Sequence, residues 1–98
     1  MATESVHSLV IGAGISGLAA ALTLKSTDHS VLVLEQSERA GGWIRTEAEQ
    51  GYRLEWGPHS LPYSQVSALQ LAEKLDLSGA WIPAQPQARY RYLYINGR

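Results

Sequence analysis

Cysteine is absent from this 98-residue chain. That excludes a disulfide framework, a thiol nucleophile and a Cys-type zinc site. Histidine is sparse: His7, His29 and His59 lie far apart and lack metal-ligand spacing, so no metal site is expected. Charge is scarce and balanced. Eight basic residues against nine acidic give a net charge of -1, and nothing points to a nucleic-acid partner. Yet 45% of the residues are apolar and only 17% charged, which excludes a charge-rich disordered tail. A long hydrophobic run is also missing. The uncharged stretch Leu9 to Leu24 has three glycines inside it and only Glu4 as a charge before it. A membrane helix needs about 20 apolar residues, and a secretory signal needs Lys or Arg ahead of its apolar part. The expected location is therefore cytoplasmic. The length allows one domain with one modest core, and no separate substrate domain.

What is present begins with a β-turn-α-β pattern. Ser5 to Ile11 is a run of β-formers ending at glycine, as a buried strand would. Gly12 to Gly17 forms a glycine-rich turn. Ile15, Leu18, Ala19 and Leu22 then fall at helical spacing, and the polar stretch Ser26 to Ser30 stops the helix. Val31 to Leu34 reads as a second strand, ended by Glu35, and a crossover of this length predicts parallel pairing. After a polar loop, Trp43–Ala48 and Tyr52–Trp56 predict a hairpin around Glu49-Gln50-Gly51, closed by Gly57-Pro58. Val66, Leu69, Ala72 and Leu75 predict an amphipathic core helix over Ser64–Asp76, with Ser64 as its N-cap. Leu77–Ala88 reads as a loop and Arg89–Ile95 as an alternating strand. Asn96-Gly97 is a hairpin-turn dipeptide with almost nothing after it, so the chain is expected to be the front part of something longer.

The chemistry lies in Gly12-Ala13-Gly14-Ile15-Ser16-Gly17, a G-x-G-x-x-G between predicted strand and predicted helix. Gly12 permits the tight turn, Gly14 lets a pyrophosphate approach the backbone, and Gly17 lets helix and strand pack closely. The helix N-terminus then offers unpaired N–H groups and a partial positive charge. Alone the motif says little. Here Glu35 ends the next strand 18 residues after Gly17, where a carboxylate accepts hydrogen bonds from a ribose. That carboxylate disfavours a 2′-phosphate and hence NADP, leaving NAD and FAD open. Arg39-Ala40-Gly41-Gly42-Trp43 follows, with a second glycine pair for close backbone approach and a cation able to screen phosphates.

With these residues in place, the sequence resembles the flavin-containing amine oxidase superfamily, in which VIGAGISGLAAA is followed by a strand-end Glu and an R-x-G-G element. Within it the chain is most similar to the protoporphyrinogen oxidase family, through ERAGGWIRT (Glu38–Thr46), EWGPHSL (Glu55–Leu61) and RYLYINGR (Arg91–Arg98). Trp43 stands where amine oxidases more often place Arg, and Arg45 comes two residues later. The resemblance implies an α/β, Rossmann-like FAD/NAD(P)-binding fold with a parallel β-α-β core and an added β-hairpin, incomplete at its C-terminus. Residues 1–98 would be the N-terminal part of an FAD-binding domain.

By that resemblance FAD is the cofactor. The Gly12, Ala13, Gly14, Ile15, Ser16 and Gly17 backbone and the Ser16 hydroxyl would hold its pyrophosphate. Glu35 would bind the adenosine ribose with Gln36 beside it. Arg39, Gly41, Gly42 and Trp43 would line the cofactor, and Gly57, Pro58, His59 and Ser60 would approach the flavin end. His59 reads as a loop residue contacting the cofactor through its backbone, and no residue is assigned as a catalytic acid or base. Trp43, Trp56 and Trp81 read as core or cofactor-packing rings. The implied substrate is a small porphyrinogen, oxidised with oxygen as the final acceptor, and the implied membrane contact is peripheral, through segments outside this chain. Three alternatives stay open: another flavin amine oxidase or desaturase, an NAD-dependent dehydrogenase, and a non-enzymatic relative of the Rab GDP-dissociation inhibitor type.

Overall fold

Local chemistry in the first third of the chain produces the expected crossover. The computed structural model describes residues 3, 5–25, 28–90 and 92–97. Strand β1 (Ser8–Ile11), helix α1 (Ile15–Lys25) and strand β2 (Val31–Leu34) form a parallel β-α-β unit. The register pairs Ser8 with Val31 and Ile11 with Leu34, and the Gly12 amide adds one more bond, to the Leu34 carbonyl at 2.7 Å. Strand β1 is shorter than the predicted Ser5–Ile11, because its N-terminal end leaves the ladder. The His7 amide donates to the Ser30 hydroxyl instead of to a strand partner. The His7 and His29 rings, distant in sequence, stack there with centroids 5.3 Å apart.

Helix α1 is rich in alanine and leucine, and apolar residues lie all round it. Ile15 and Leu18 are exposed, whereas Ala19, Ala21 and Leu22 are half-buried. Gly17 sits where an added Cβ would overlap the Gly12 carbonyl and touch the Val10 side chain. Glycine is thus the residue that lets the helix start against the turn. The predicted helix stop includes Ser26 and Thr27, which lie outside the described residues. Asp28 follows at φ 62°, in the left-handed region.

The hairpin consists of β3 (Thr46–Glu49) and β4 (Tyr52–Glu55), antiparallel, with Thr46 opposite Glu55. Gln50 (φ 50°) and Gly51 (φ 84°) both take positive φ, the conformation that matches the twist of the flanking strands. The predicted first strand began at Trp43, which was too early. Gly41 (φ 114°) and Gly42 (φ 58°) turn the chain there, and the Ile44 amide closes that turn on the Gly41 carbonyl at 3.1 Å. Trp56 stands just outside β4, but its amide reaches the Arg45 carbonyl at 2.9 Å.

The chain divides into two compact units, the first ending at Pro62 and the second starting at Tyr63. In the second, helix α2 (Val66–Lys74) is shorter than the predicted Ser64–Asp76. Ser64 is not its cap: Gln65 holds that position without a side-chain bond, and the Ser64 carbonyl accepts from Val66 instead. At the other end the Leu77 amide reaches the Ala72 carbonyl and the Asp76 amide reaches the Glu73 carbonyl, with Asp76 at φ 56°. This double bond pattern around a left-handed residue is a Schellman stop. Of the predicted core stripe, Ala72 is buried and Leu69 half-buried, while Val66 and Leu75 are exposed.

Two 3-10 turns, Ser78–Ala80 and Pro86–Arg89, lie within the segment predicted as loop and the residue after it. The predicted strand Arg89–Ile95 does not form among the described residues, and Arg91 lies outside them. A strand exists through its ladder, and Tyr92 to Ile95 have no partner strand among the described residues. Asn96 (φ 51°) and Gly97 (φ 78°) nonetheless hold the hairpin-turn conformation. Among the described residues no helix is long and apolar enough to cross a membrane, and no side chain is completely buried.

Candidate functional site: the glycine turn and the loop docked on it

The site forms where β1 and β2 end. Gly12 (φ 96°) turns the chain out of β1, and Ala13 is buried at 5% exposure beneath the turn. Ile15, Ser16 and Gly17 begin α1, so their amides are the ones a helix leaves without intrahelical partners. No acidic residue occupies that first turn. A Cβ added to Gly14 would meet no protein atom within 4 Å. Packing within the chain therefore places no demand for glycine at position 14, in contrast to Gly17. What the missing side chain leaves is open space against backbone, the feature a pyrophosphate cradle requires.

The next segment is sewn to this turn by main-chain bonds. The Gly41 amide donates to the Ala13 carbonyl at 2.8 Å, and Gly14 and Gly41 form an isolated parallel bridge. Gly42 comes so close that an added Cβ would lie 3.2 Å from the Gly14 Cα. The sequence proposed two separate glycine elements lining one ligand. The structure brings them into direct contact.

Glu35 completes the knot. Its Oε2 accepts the Ala13 amide at 2.7 Å, and its Oε1 accepts the Ser37 amide at 2.9 Å with the Ser37 hydroxyl at 2.8 Å. These donors favour the ionised form and lower the carboxyl pKa from its ordinary 4.5 to about 2, the Ala13 amide contributing most and the two Ser37 donors next. A carboxylate has about four acceptor positions. Ala13 and the two Ser37 donors fill up to three of these, with a smaller pull from the Gln36 amide, and the remaining capacity suits a ribose hydroxyl. Gln36 is exposed beside it.

Arg39 is engaged by its own loop. Its guanidinium donates to the carbonyls of Gly42 (2.6 Å), Ala40 (3.1 Å) and Ile44 (3.3 Å). The cation thus holds the curve of the glycine-pair loop through these carbonyls. Trp43 and Trp56 are exposed, at 86% and 63%, so neither ring is core among the described residues. Trp81, in the second unit, is half-buried. Together with Arg39, Gly42 and Arg45, Trp43 and Trp56 line an open pocket of about 350 Å³. Glu47 braces two of these residues: it pairs with Arg45 and accepts the Trp56 indole N–H at 2.8 Å. The Arg45 guanidinium lies 5.7 Å from the Trp56 ring centre, within cation–π range.

Gly57 is required by the same loop, since an added Cβ would overlap the Trp43 carbonyl. Pro58, His59 and Ser60 follow as exposed chain, and His59 makes only a long 3.4 Å contact to the Gly57 carbonyl. Sequence reasoning missed Ser37, the carbonyl-binding role of Arg39, and the Arg45–Glu47–Trp56 cluster. For Ser37 a signal existed: a serine two residues after a carboxylate suits a local turn in which its amide and hydroxyl reach back. Among the described residues no group of three His, Asp or Glu side chains could hold a metal.

Residues 15–98 match the family described as flavin containing amine oxidoreductase. The chain belongs to that family. An L-amino-acid oxidase of Vipera ammodytes ammodytes is 48% identical over 74 residues, which are 74% of this chain and 15% of the relative. One from Trimeresurus stejnegeri is 42% identical over 73 residues, 72% of this chain and 14% of the relative. Among solved structures, wild-type putrescine oxidase bound to putrescine superimposes with a TM-score of 0.71 at 35% identity, covering 76% of this chain and 17% of the oxidase. The chain thus spans about a seventh of the length of the relatives it matches. The family's cofactor is FAD. The residues fit it, through the open face of Gly14, the free first turn of α1 and the spare acceptor capacity of Glu35.

Proposed function

We propose that this chain is the N-terminal FAD-binding part, Rossmann-like in type, of an oxidase acting on a small amine or amino acid. One observation carries the reading. The glycine-pair loop is bonded through Gly41 to Ala13, inside the G-x-G turn, and Glu35 is anchored on the same residue. Two glycine elements and a strand-end carboxylate thereby converge on the turn after β1. The relatives support the substrate class, being L-amino-acid oxidases and a putrescine oxidase.

In this reading the amides of Ile15, Ser16 and Gly17 and the α1 dipole hold the pyrophosphate. Glu35 accepts a ribose hydroxyl, and Gly14 and Gly42 keep the approach free of side chains. FAD, when bound, supplies a two-electron acceptor for a hydride from a carbon beside nitrogen, with oxygen taking the electrons away as hydrogen peroxide. These residues bind and orient; proton transfer to or from substrate falls to parts of the protein outside them.

A second reading, a protoporphyrinogen oxidase, is favoured by Trp43 directly after the glycine pair and by EWGPHSL (Glu55–Leu61). The two are separated by colour. The full-length protein should carry an absorbance band near 450 nm, and anaerobic addition of L-amino acids or putrescine should bleach it. Bleaching by protoporphyrinogen alone selects the second reading. A colourless protein that takes up no FAD sinks both.

A further inference from the structure

Ser37 has no part in any glycine motif, yet it is the residue through which Glu35 and the glycine-pair loop meet. Its amide donates to Glu35 Oε1 at 2.9 Å. Its hydroxyl oxygen lies 2.8 Å from that same Oε1 and 2.8 Å from the Arg39 carbonyl. A hydroxyl has one proton to donate, so it serves one of these acceptors at a time.

The consequence concerns which acceptor positions remain open. With both Ser37 donors on Oε1, that oxygen is filled. Oε2 holds the Ala13 amide of the glycine turn and keeps its second acceptor position. Without the Ser37 hydroxyl the two amide anchors remain, but Oε1 gains an unfilled acceptor position and the carboxylate no longer offers its open position on one oxygen alone. We infer that Ser37 is a positioning residue, which orients the Glu35 carboxylate so that its remaining acceptor position meets the vicinal hydroxyls of a nucleotide ribose. The inference rests on the dinucleotide reading proposed above.

Ser37 touches no ligand in this scheme; it acts through Glu35. Its loss therefore weakens ligands in proportion to what they gain from the ribose hydroxyls, and leaves the pyrophosphate contacts alone. ADP and 2′,3′-dideoxy-ADP separate the two contributions, because they differ only in those hydroxyls.

The experiment is displacement of FAD by each probe from the full-length protein, wild type against Ser37→Ala and Ser37→Thr. Wild type should prefer ADP over the dideoxy compound by roughly tenfold, the scale of one hydrogen bond to a charged group. Ser37→Ala should weaken ADP by about fivefold and the dideoxy compound by less than about twofold, and Ser37→Thr, which keeps the hydroxyl, should restore the preference. Equal weakening of both probes by Ser37→Ala makes Ser37 merely structural and overturns the inference, as does no weakening of either. If Ser37→Ala fails to fold, Ser37→Cys, similar in size with a weak donor, is read by the same ratio. A wild-type protein that binds both probes equally removes Glu35 from the ribose, and one that binds neither removes the dinucleotide reading itself. Those two failures are thus distinct from failure at Ser37.

Discussion

The Glu35 carboxylate accepts the Ala13 amide at 2.7 Å across 22 residues of chain. That bond joins the end of β2 to the turn after β1, at the point where the Gly41 amide arrives from the other side. One small residue, Ala13, therefore presents its amide to the carboxylate and its carbonyl to the glycine-pair loop.

The bond gives stability a pH dependence whose sign can be worked out. The Glu35 carboxyl titrates at about 2 in the fold and near 4.5 in its ordinary state. A lowered pKa means that the contribution is fully present above about 4.5 and lost as pH falls toward 2. Glu35→Gln should therefore cost stability above pH 5, and the difference from wild type should shrink between pH 4.5 and 2. Chemical unfolding at a series of pH values measures it. A difference that stays constant through that window would remove the carboxylate from this role.

Gly14 and Gly17 should fail in opposite ways. Gly14→Val adds a side chain whose Cβ meets no protein atom within 4 Å and which fills the ligand's approach in the proposed reading. It should change stability by about 1 kcal/mol or less and reduce FAD affinity on the order of 100-fold or more, the equivalent of losing two hydrogen bonds to a charged group. Gly17→Ala drives a methyl into the Gly12 carbonyl, and should cost about 1–3 kcal/mol of stability even without FAD. Thermal unfolding of apoprotein and FAD titration, run on both variants, give the two readouts.

Arg39→Lys tests whether the cation or its shape matters. The guanidinium bridges three carbonyls of one loop, which an ammonium on a flexible stem cannot do. Affinity for FAD should fall about five- to tenfold in Arg39→Lys and by a similar factor in Arg39→Gln. The salt dependence of binding should match wild type in both. Full rescue by Lys, or a shallower salt dependence in Arg39→Gln, would put Arg39 on a phosphate instead.

Asp76 ends α2 in the left-handed region, where its Cβ is strained. Asp76→Gly keeps the stop and relieves the strain, and should add about 0.5–1 kcal/mol of stability. Denaturant unfolding checks it; a loss would show that the aspartate side chain contributes more than its backbone strain costs.

Much of the site was legible because it is made of glycines at fixed offsets. Gly12, Gly14 and Gly17 each imply a distinct backbone requirement, and the positive φ at Gly12 and the tight packing at Gly17 match. The VLVL run of β2 and the alanine-rich α1 were legible from local propensity. The contact between Ala13 and Gly41 was not, since a main-chain bond between distant residues leaves no side-chain signature. The carbonyl contacts of Arg39 were not legible for a related reason: backbone acceptors leave no mark in sequence. The strand expected over Arg89–Ile95 does not form among the described residues, because alternation describes a face and a ladder needs a second strand. The cap at Ser64 failed by one residue of helix register.

The segment from Glu35 to Ile44 contains no helix and no extended strand, yet it is not slack. Eight hydrogen-bond contacts from Ser37, Arg39, Gly41 and Ile44, two of them sharing the Ser37 hydroxyl proton, tie it to itself or to the turn. Fixing a residue's backbone costs about 1–2 kcal/mol of entropy, and here that ordering belongs to folding rather than to ligand capture. A nucleotide bound as proposed would thus meet a surface ordered by folding. Capture should proceed as a single encounter without a slow closing phase, and the lifetime of the complex should be governed by its rate of escape.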